Sequence, residues 1–396
     1  MKLAIISDCH FGFNEDAAPQ AREALLKALQ MHADAIILPG DLFDARVPKQ
    51  ETLHESIQLL SEIKKASEGS SSAIKLAEIT GEEETRMENA GMPMLAIWGT
   101  HERRSKGLAN AIHILDAAGL VVSLHTRKIV LQKGSEKVVV QALGGVPEEY
   151  FRRTLELGDF KPLRNAYNIF VFHQNLQELL PVERDEDVSM DELPAGFDLY
   201  INGHIHWNHD LKINGRRLLV AGSTVVTQMK RNEEKGKGFY LFDTETQKAE
   251  FVKIQGRPFF FREIEVRDAD ANAIEEALEK ELRSIMKEAH LKKPLIKIKI
   301  SGSVKGGAVA SLNLDKIIRK YSENSLVFVD KDFGNEALKE KIETIRKLRK
   351  EGKGARELGI EILKEKIRHK NLGIRNPQEL FELLAEGETE EAIRQV

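Results

Sequence analysis

The chain has 396 residues, 41% of them hydrophobic and 31% charged, with a formal net charge of −4. That is enough apolar material for two or three packed domains, which excludes a disordered or fibrous chain. A lone cysteine, Cys9, excludes an intramolecular disulfide framework, and no apolar run is long enough to span a bilayer.

Five short apolar runs each end in a glycine or polar residue and then in metal-ligand side chains. The first is Ile5-Ile6-Ser7-Asp8-Cys9-His10. It stands so close to the start that no signal peptide is expected. Leu25, Ala28, Leu29 and His32 follow at helical spacing and complete a βαβ opening with the second run, Ile36-Ile37-Leu38-Pro39-Gly40-Asp41. The stretch 65–91, rich in Ser, Glu and Gly, reads in part as a mobile excursion without chemistry. The third run is Ala96-Ile97-Trp98-Gly99-Thr100-His101-Glu102, followed by a helical stripe at Leu108, Ile112 and Leu115 that Gly119 ends. Phe170-Val171-Phe172-His173 and Leu199-Tyr200-Ile201-Asn202-Gly203-His204-Ile205-His206 are the fourth and fifth. Strands at 218–220, 239–242 and 249–254 come next, the last two forming a hairpin.

Arg257-Pro258 marks a boundary. Beyond it the pattern predicts strand 259–266, helix 271–288, strand 295–300, helix 314–321 and strand 325–329. From Asn335 the chain is charged and helical, with scattered leucines at 363, 372, 380, 383 and 384. Three domains are therefore expected: 1–255, 256–332 and 333–396.

Short bounded apolar runs predict buried strands, and loops beyond strand carboxyl ends line the ligand crevice of α/β sheets. Asp8 and His10, two apart at an extended strand end, leave the same face, as do His204 and His206; Cys9 between them packs beneath the sheet. Carboxylate and imidazole together suit manganese, iron or zinc, and the donors exceed what one ion needs. Asp41, with two oxygens, is the expected bridge between two ions. Such a pair can clamp the attacking and leaving oxygens of a phosphoryl displacement. His101 can protonate the departing oxygen, and Glu102 can orient it. His32, His54, His113, His125, His290 and His369 lack such company and read as structural, and His209 as surface or supporting. Arg103, Arg104 and Lys106 form a cationic rim suited to DNA phosphates. Lys230-Arg231 and Lys235-Gly236-Lys237 can extend that surface or be ordinary solvated charge.

The order D-x-H, GD-x-x-D, G-T-H-E, H, G-H-x-H resembles the calcineurin-like metallophosphoesterase superfamily. Within it, "GDLFDARVP", "IWGTHERRSKG", "VFHQN" and "INGHIHWN" are most similar to the Mre-type and SbcD-type DNA repair nuclease branch, of archaeal kind. The resemblance runs from Met1 to about Val329. It implies an α/β fold, a four-layer α-β-β-α sandwich with a small α+β capping domain and a C-terminal helical segment. It implies one ion on Asp8, His10, Asp41 and His206, a second on Asp41, Thr100, His173 and His204, and His101 at the transition state. It further implies manganese-dependent exo- and endonuclease activity at DNA ends in double-strand-break repair. A Rad-fifty-type SMC-like ATPase partner, a homodimer and a cytoplasmic, nucleoid-associated setting go with that activity. Two positions depart from the branch: Thr100 stands where Asn is usual, and Asp44 where many members carry His. A phosphoesterase of small phosphodiesters and a weakly catalytic DNA-end scaffold remain as alternatives, since a fold does not choose a substrate.

Overall fold

The computed structural model describes residues 1–68, 74–105, 107–180, 187–287, 292–305, 311–333, 360, 363–364 and 376–386. Two sheets carry the first part of the chain. One has six strands in the order β14-β13-β1-β2-β5-β6: β1 (Lys2–Ile5), β2 (Ala35–Pro39), β5 (Met94–Ile97), β6 (Val122–Ser123), β13 (Gly238–Asp243) and β14 (Lys248–Lys253). Strands β1, β2, β5 and β6 run parallel, while β13 and β14 close the sheet as an antiparallel hairpin. The other has eight strands in the order β11-β12-β10-β9-β8-β7-β3-β4. These are β3 (Ile74–Thr80), β4 (Glu83–Met87), β7 (Lys128–Lys133), β8 (Glu136–Leu143), β9 (Tyr167–Phe172), β10 (Leu199–Asn202), β11 (His209–Ile213) and β12 (Arg216–Val220). Its central strands β8, β9, β10 and β12 are parallel.

Strand alternation sorts the apolar residues into separate cores. Leu3, Ile5, Ile37, Leu95 and Ile97 face Val138, Val140, Ile169, Val171, Leu199 and Ile201 between the sheets. Their neighbours Ala4, Ile36, Leu38 and Ala96 pack outward with Ala24, Leu25 and Ala28 of α1 (Ala17–Gln30), Leu59, Leu60 and Ile63 of α2 (Gln50–Ser67), and Ile112 and Leu115 of α3 (Ala111–Ala117). Phe170, Phe172, Tyr200 and Val220 form a third core with Phe151 of α4 (Glu148–Leu157), Phe160 and Met190. The result is helix, sheet, sheet, helix. Strands buried on both faces read as unbroken apolar runs, which is why the sequence displays them so plainly. Each fully buried Leu, Ile or Val contributes about 1.5–3 kcal/mol of transfer energy.

Three expectations change. Much of the stretch 65–91 is regular structure where a mobile excursion was expected in part: residues 74–87, β3 and β4, form a hairpin turning at Gly81, and β3 pairs antiparallel with β7. Only Leu76 of that hairpin is buried in the inter-sheet core, too weak an apolar signal to announce a strand. Leu108 is not part of a helical stripe. It is 53% exposed, and α3 starts only after Asn110, whose side chain accepts the His113 amide at 3.0 Å. His32 lies beyond α1 with φ +58, not on its apolar face.

By its contacts the chain divides into two compact units, one of residues 1–262, 285–297 and 321–328, the other of 263–284, 298–320 and 329–396. A three-stranded sheet is formed by β15 (Phe259–Ala269), β16 (Leu295–Val304) and β17 (Leu326–Asp332), in that order. The second unit carries α5 (Ala271–Ile285) and α6 (Leu314–Tyr321), where Lys320 pairs with Glu279 and Glu275 accepts the Asn313 amide at 2.7 Å. Of the expected tail, α7 (Pro377–Glu386) is described, with Leu380 buried against Leu363 and Leu383. Leu372 and the side chain of Leu384 lie outside the described residues. No described helix is long and apolar enough to cross a membrane.

Cys9 is 1% exposed in the core beside the first sheet, and burial pushes its thiol up to about 12. Thiol reagents at mildly alkaline pH should therefore find no reactive cysteine in the folded protein and one after denaturation, because the thiolate is the nucleophile. Rapid labelling of the native chain would contradict this placement.

Candidate metal centre

The parallel strands β1, β2 and β5 of one sheet, and β9 and β10 of the other, end beside one another. Beyond β1 the backbone leaves the extended region: Asp8 and His10 both have φ +49, as does Asp41, and His204 has φ +70. The shared face of Asp8 and His10 is thus set by left-handed backbone, not by strand alternation. Such conformations cost about 1 kcal/mol or more per non-glycine residue and persist only where surroundings over-determine them. Hydrogen bonds between loops do so here: the Asp8 amide donates to the Gly40 carbonyl at 3.1 Å, and the His10 amide to the Asp41 carbonyl at 3.1 Å. A Cβ on Gly99 would lie 2.2 Å from Asp41 Oδ1, and one on Gly203 would lie 2.2 Å from the Pro39 carbonyl. Only glycine lets the loops approach this closely.

Three groups of potential donors result among the described residues: the buried Asp8, His10 and His206, the largely buried Asp41, His173 and His204, and a more exposed group of His10, Asp44 and His101 that shares His10 with the first. In the first, His10 Nε2 and His206 Nε2 are 3.3 Å apart, and His206 Nε2 is 3.4 Å from Asp8 Oδ1. In the second, His173 Nε2 is 3.1 Å from Asp41 Oδ2. The far ring nitrogens are already engaged. His10 Nδ1 meets Asp44 Oδ1 at 3.1 Å, His173 Nδ1 donates to the Pro39 carbonyl at 2.8 Å, and His206 Nδ1 bonds the Thr227 hydroxyl. The partners of His10 and His173 only accept, so those Nδ1 atoms carry a proton and Nε2 is the atom turned inward, where a cation would take the place of the proton that Asp41 holds on His173. Lone pairs facing carboxylate oxygens are stable only with a proton or a cation among them. The donor set therefore fits divalent ions. Thr100, expected among the ligands of the second ion, donates its hydroxyl to Asp41 Oδ2 at 3.2 Å, so it lies beside that cluster and steadies its carboxylate.

The remaining residues surround these clusters. His101 is exposed; its amide donates to Asp41 Oδ1 at 2.9 Å, and its Nδ1 to the Asp44 carbonyl at 2.6 Å. Its ring centroid lies 4.9 Å from that of His10. Glu102, expected to orient His101, is fully buried and bonds backbone: its oxygens accept the Phe43 and Gly99 amides, each at 2.8 Å. It ties the second ligand loop to the third. Arg103 and Arg104 are half-buried, with Arg103 Nη1 unpartnered among the described residues, and Lys106 lies outside them. Lys237, read as a candidate for the basic surface, is instead 5% exposed and paired with Glu233 at 2.6 Å. Thr227, Glu233 and Ser7, whose hydroxyl bonds Asp8, are supporting residues that spacing did not single out, whereas Asp44, already marked by the sequence, lies against His10 and His101.

Charge follows from this crowding. Burial opposes ionisation of Asp8 and Asp41, yet neighbouring imidazoles hold both carboxyls below their ordinary range. Burial also opposes a charge on His173, but Asp41 pushes it up to about 9, while burial and His173 push His204 down to about 4. Burial, then the Asp41 charge, raises Glu102 to about 8.

Residues 1–208 match the family model described as calcineurin-like phosphoesterase. The DNA double-strand break repair protein Mre11 of Methanopyrus kandleri is 26% identical over 311 residues, which cover 72% of this chain and 62% of that protein. That of Sulfurisphaera tokodaii is 28% identical, with 60% and 58% covered, and the Arabidopsis thaliana double-strand break repair protein MRE11 is 25% identical, with 76% and 50% covered. The chain thus spans about half to three-fifths of the length of these relatives.

Two outcomes follow from the geometry. Divalent-metal affinity should rise from about pH 6 to about pH 9, because metal must displace the proton that Asp41 holds on His173. Calorimetry in buffers of different ionisation enthalpy should show proton release, and a flat profile would refute the coupling. Glu102→Ala should lower the metal-free protein's stability by about 1–3 kcal/mol for each orphaned amide, read from denaturant midpoints. An unchanged midpoint would mean that those amides find other partners.

Proposed function

Because the chain belongs to the calcineurin-like phosphoesterase family, we propose that it is a metal-dependent DNA nuclease hydrolysing phosphodiester bonds at DNA ends. One observation carries the reading. Two clusters of carboxylate and imidazole groups, Asp8–His10–His206 and Asp41–His173–His204, sit side by side with His101 at their exposed margin. Asp41 belongs to the second cluster, and its carbonyl accepts the amide of His10 from the first, so it is the natural bridge to a second ion. Ions held there would neutralise charge developing on the phosphoryl oxygens and make a nucleophile available near neutral pH.

The chain's own residues supply the rest. With Nδ1 committed to Asp44, His101 presents Nε2 to the open side, where it can hand a proton to a departing ester oxygen. Asp44 spans His10 and His101, so it sets the ring of a metal ligand and of the acid together. Arg103 and Arg104, one turn further on, offer guanidinium groups to phosphates flanking the scissile bond.

DNA as substrate is inferred from the printed names of the relatives, double-strand break repair proteins. Mixed carboxylate and imidazole donors favour manganese over magnesium or calcium. An SMC-like ATPase partner of Rad-fifty type, docking on the tail beyond residue 333, and a homodimer belong to the same proposal. So does a cytoplasmic, nucleoid-associated setting.

The test is manganese-dependent cleavage of end-labelled duplex and single-stranded DNA. His101→Ala should reduce cleavage by about 10²–10⁴-fold, the usual contribution of a general acid, while leaving metal binding intact. Duplex affinity should also fall steeply as salt rises. Rapid turnover of small chromogenic diesters with no DNA cleavage would transfer the activity to small substrates. Cleavage undiminished in His101→Ala would remove the acid assignment.

A further inference from the structure

We propose that the buried ion pair of Glu233 and Lys237 is a positioning device for His206, governing affinity at one metal position and sparing the other. The inference rests on the two-ion reading given above. A 3-10 turn at Arg231–Lys235 brings Glu233 beneath Lys237, which leads into β13. All three ammonium donors are placed: on Glu233 Oε1 at 2.6 Å, Ser223 Oγ at 2.8 Å and the His206 carbonyl at 2.9 Å. Glu233 in turn accepts the amides of Thr227, Gln228 and Lys230 at 3.2, 3.0 and 3.3 Å. The two residues are 2% and 5% exposed.

Two desolvated charges stabilise a core less than apolar side chains of the same volume would. The value of this pair therefore lies in what it holds, and that is the His206 loop from both sides. Lys237 grips the His206 carbonyl, which also accepts the Ser223 amide at 3.3 Å. Glu233 fixes the amide of Thr227, whose hydroxyl bonds His206 Nδ1 and so aims Nε2 at Asp8 and His10. Ser223 continues the connection, bridging to Ser7, which bonds the Asp8 carboxylate. The second position is secured differently: His173 by the Pro39 carbonyl, and the His204 amide by Asp8. A defect in the pair therefore reaches the cluster of Asp8, His10 and His206 first.

The experiment is Mn²⁺ titration of the full chain by calorimetry and electron paramagnetic resonance. His206→Ala and His173→Ala identify which binding event is which. Thr227→Val keeps the ion pair and removes only the Nδ1 partner, and the double variant Glu233→Met/Lys237→Met removes both charges together. Each should weaken the first event by about 10–100-fold, the usual effect of losing a group that orients a ligand, and shift the second by less than about threefold. Lys237→Met alone should also lower the melting temperature, because it strands a buried carboxylate. The double variant removes the stranded charge but orphans the amides of Thr227, Gln228 and Lys230, so it should stay destabilised, with its loss of affinity confined to the first event, which a purely structural pair would not produce. Unchanged affinities, or equal weakening of both events, would overturn the proposal. A wild-type chain that binds no divalent ion would sink the two-ion reading itself, and this inference with it.

Discussion

Carboxylates and imidazoles crowded face to face, shut away from water, are the constraint on which the rest of this molecule depends. His10 and His206 direct nitrogens at each other across 3.3 Å beside the Asp8 carboxylate, and His173 faces Asp41 across 3.1 Å. In a buried setting such contacts repel unless a proton or cation stands between them. Four of the backbone positions involved, Asp8, His10, Asp41 and His204, are also held in left-handed conformations. Folding thus concentrates buried charge and backbone strain at one end of the sandwich. The strain persists because the two sheets bury enough apolar surface to fix the loops beyond their edges.

That division of labour explains why both sheets are needed. Asp8, His10 and Asp41 follow strands of one sheet, and His173, His204 and His206 follow strands of the other. His173 donates to the carbonyl of Pro39, the last residue of β2, and the His204 amide donates to Asp8. These bonds cross between the sheets, so the relative placement of the sheets is part of the ligand geometry. The dry core of Ile5, Ile37, Ile169 and Ile201 sets that placement, since close-packed interiors resist the shifts that would pull donors apart.

The strands, and the carboxylate and imidazole groups that gather beyond them, were legible in sequence because they obey local rules. Ile36-Ile37-Leu38-Pro39 is an unbroken apolar run before Gly40 and Asp41, and a two-faced buried strand leaves that trace. The hairpin of β3 and β4 was not legible, because it exposes most of its side chains and buries only Leu76. Lys237 was misleading for the opposite reason. In Lys235-Gly236-Lys237 it looks like solvated charge, and only folding brings Glu233 and the His206 carbonyl to it. Glu102 sits one residue from His101, which suggests a shared task, yet its oxygens turn away to backbone amides. The groups that support a site are chosen by three-dimensional proximity. Spacing along the chain cannot report them unless both partners fall within one turn or one loop.

The supports also rank the ligands. Three histidines place their far nitrogen on three kinds of partner: His10 on a carboxylate, His173 on a peptide carbonyl, His206 on a hydroxyl. A carboxylate raises imidazole basicity most, a carbonyl less, and a hydroxyl least and with the weakest hold on ring orientation. The cluster of Asp8, His10 and His206 therefore joins the best supported ring to the worst. It is behind that worst supported ring that the chain has buried a charged pair, with the ammonium on the ring's own carbonyl and the carboxylate on the amide of its hydroxyl partner. A rigid backbone substitutes for what the weak side-chain bond cannot give. Asp44 needs no such reinforcement at His10, because its ionised carboxylate both orients the ring and enriches the nitrogen that faces inward.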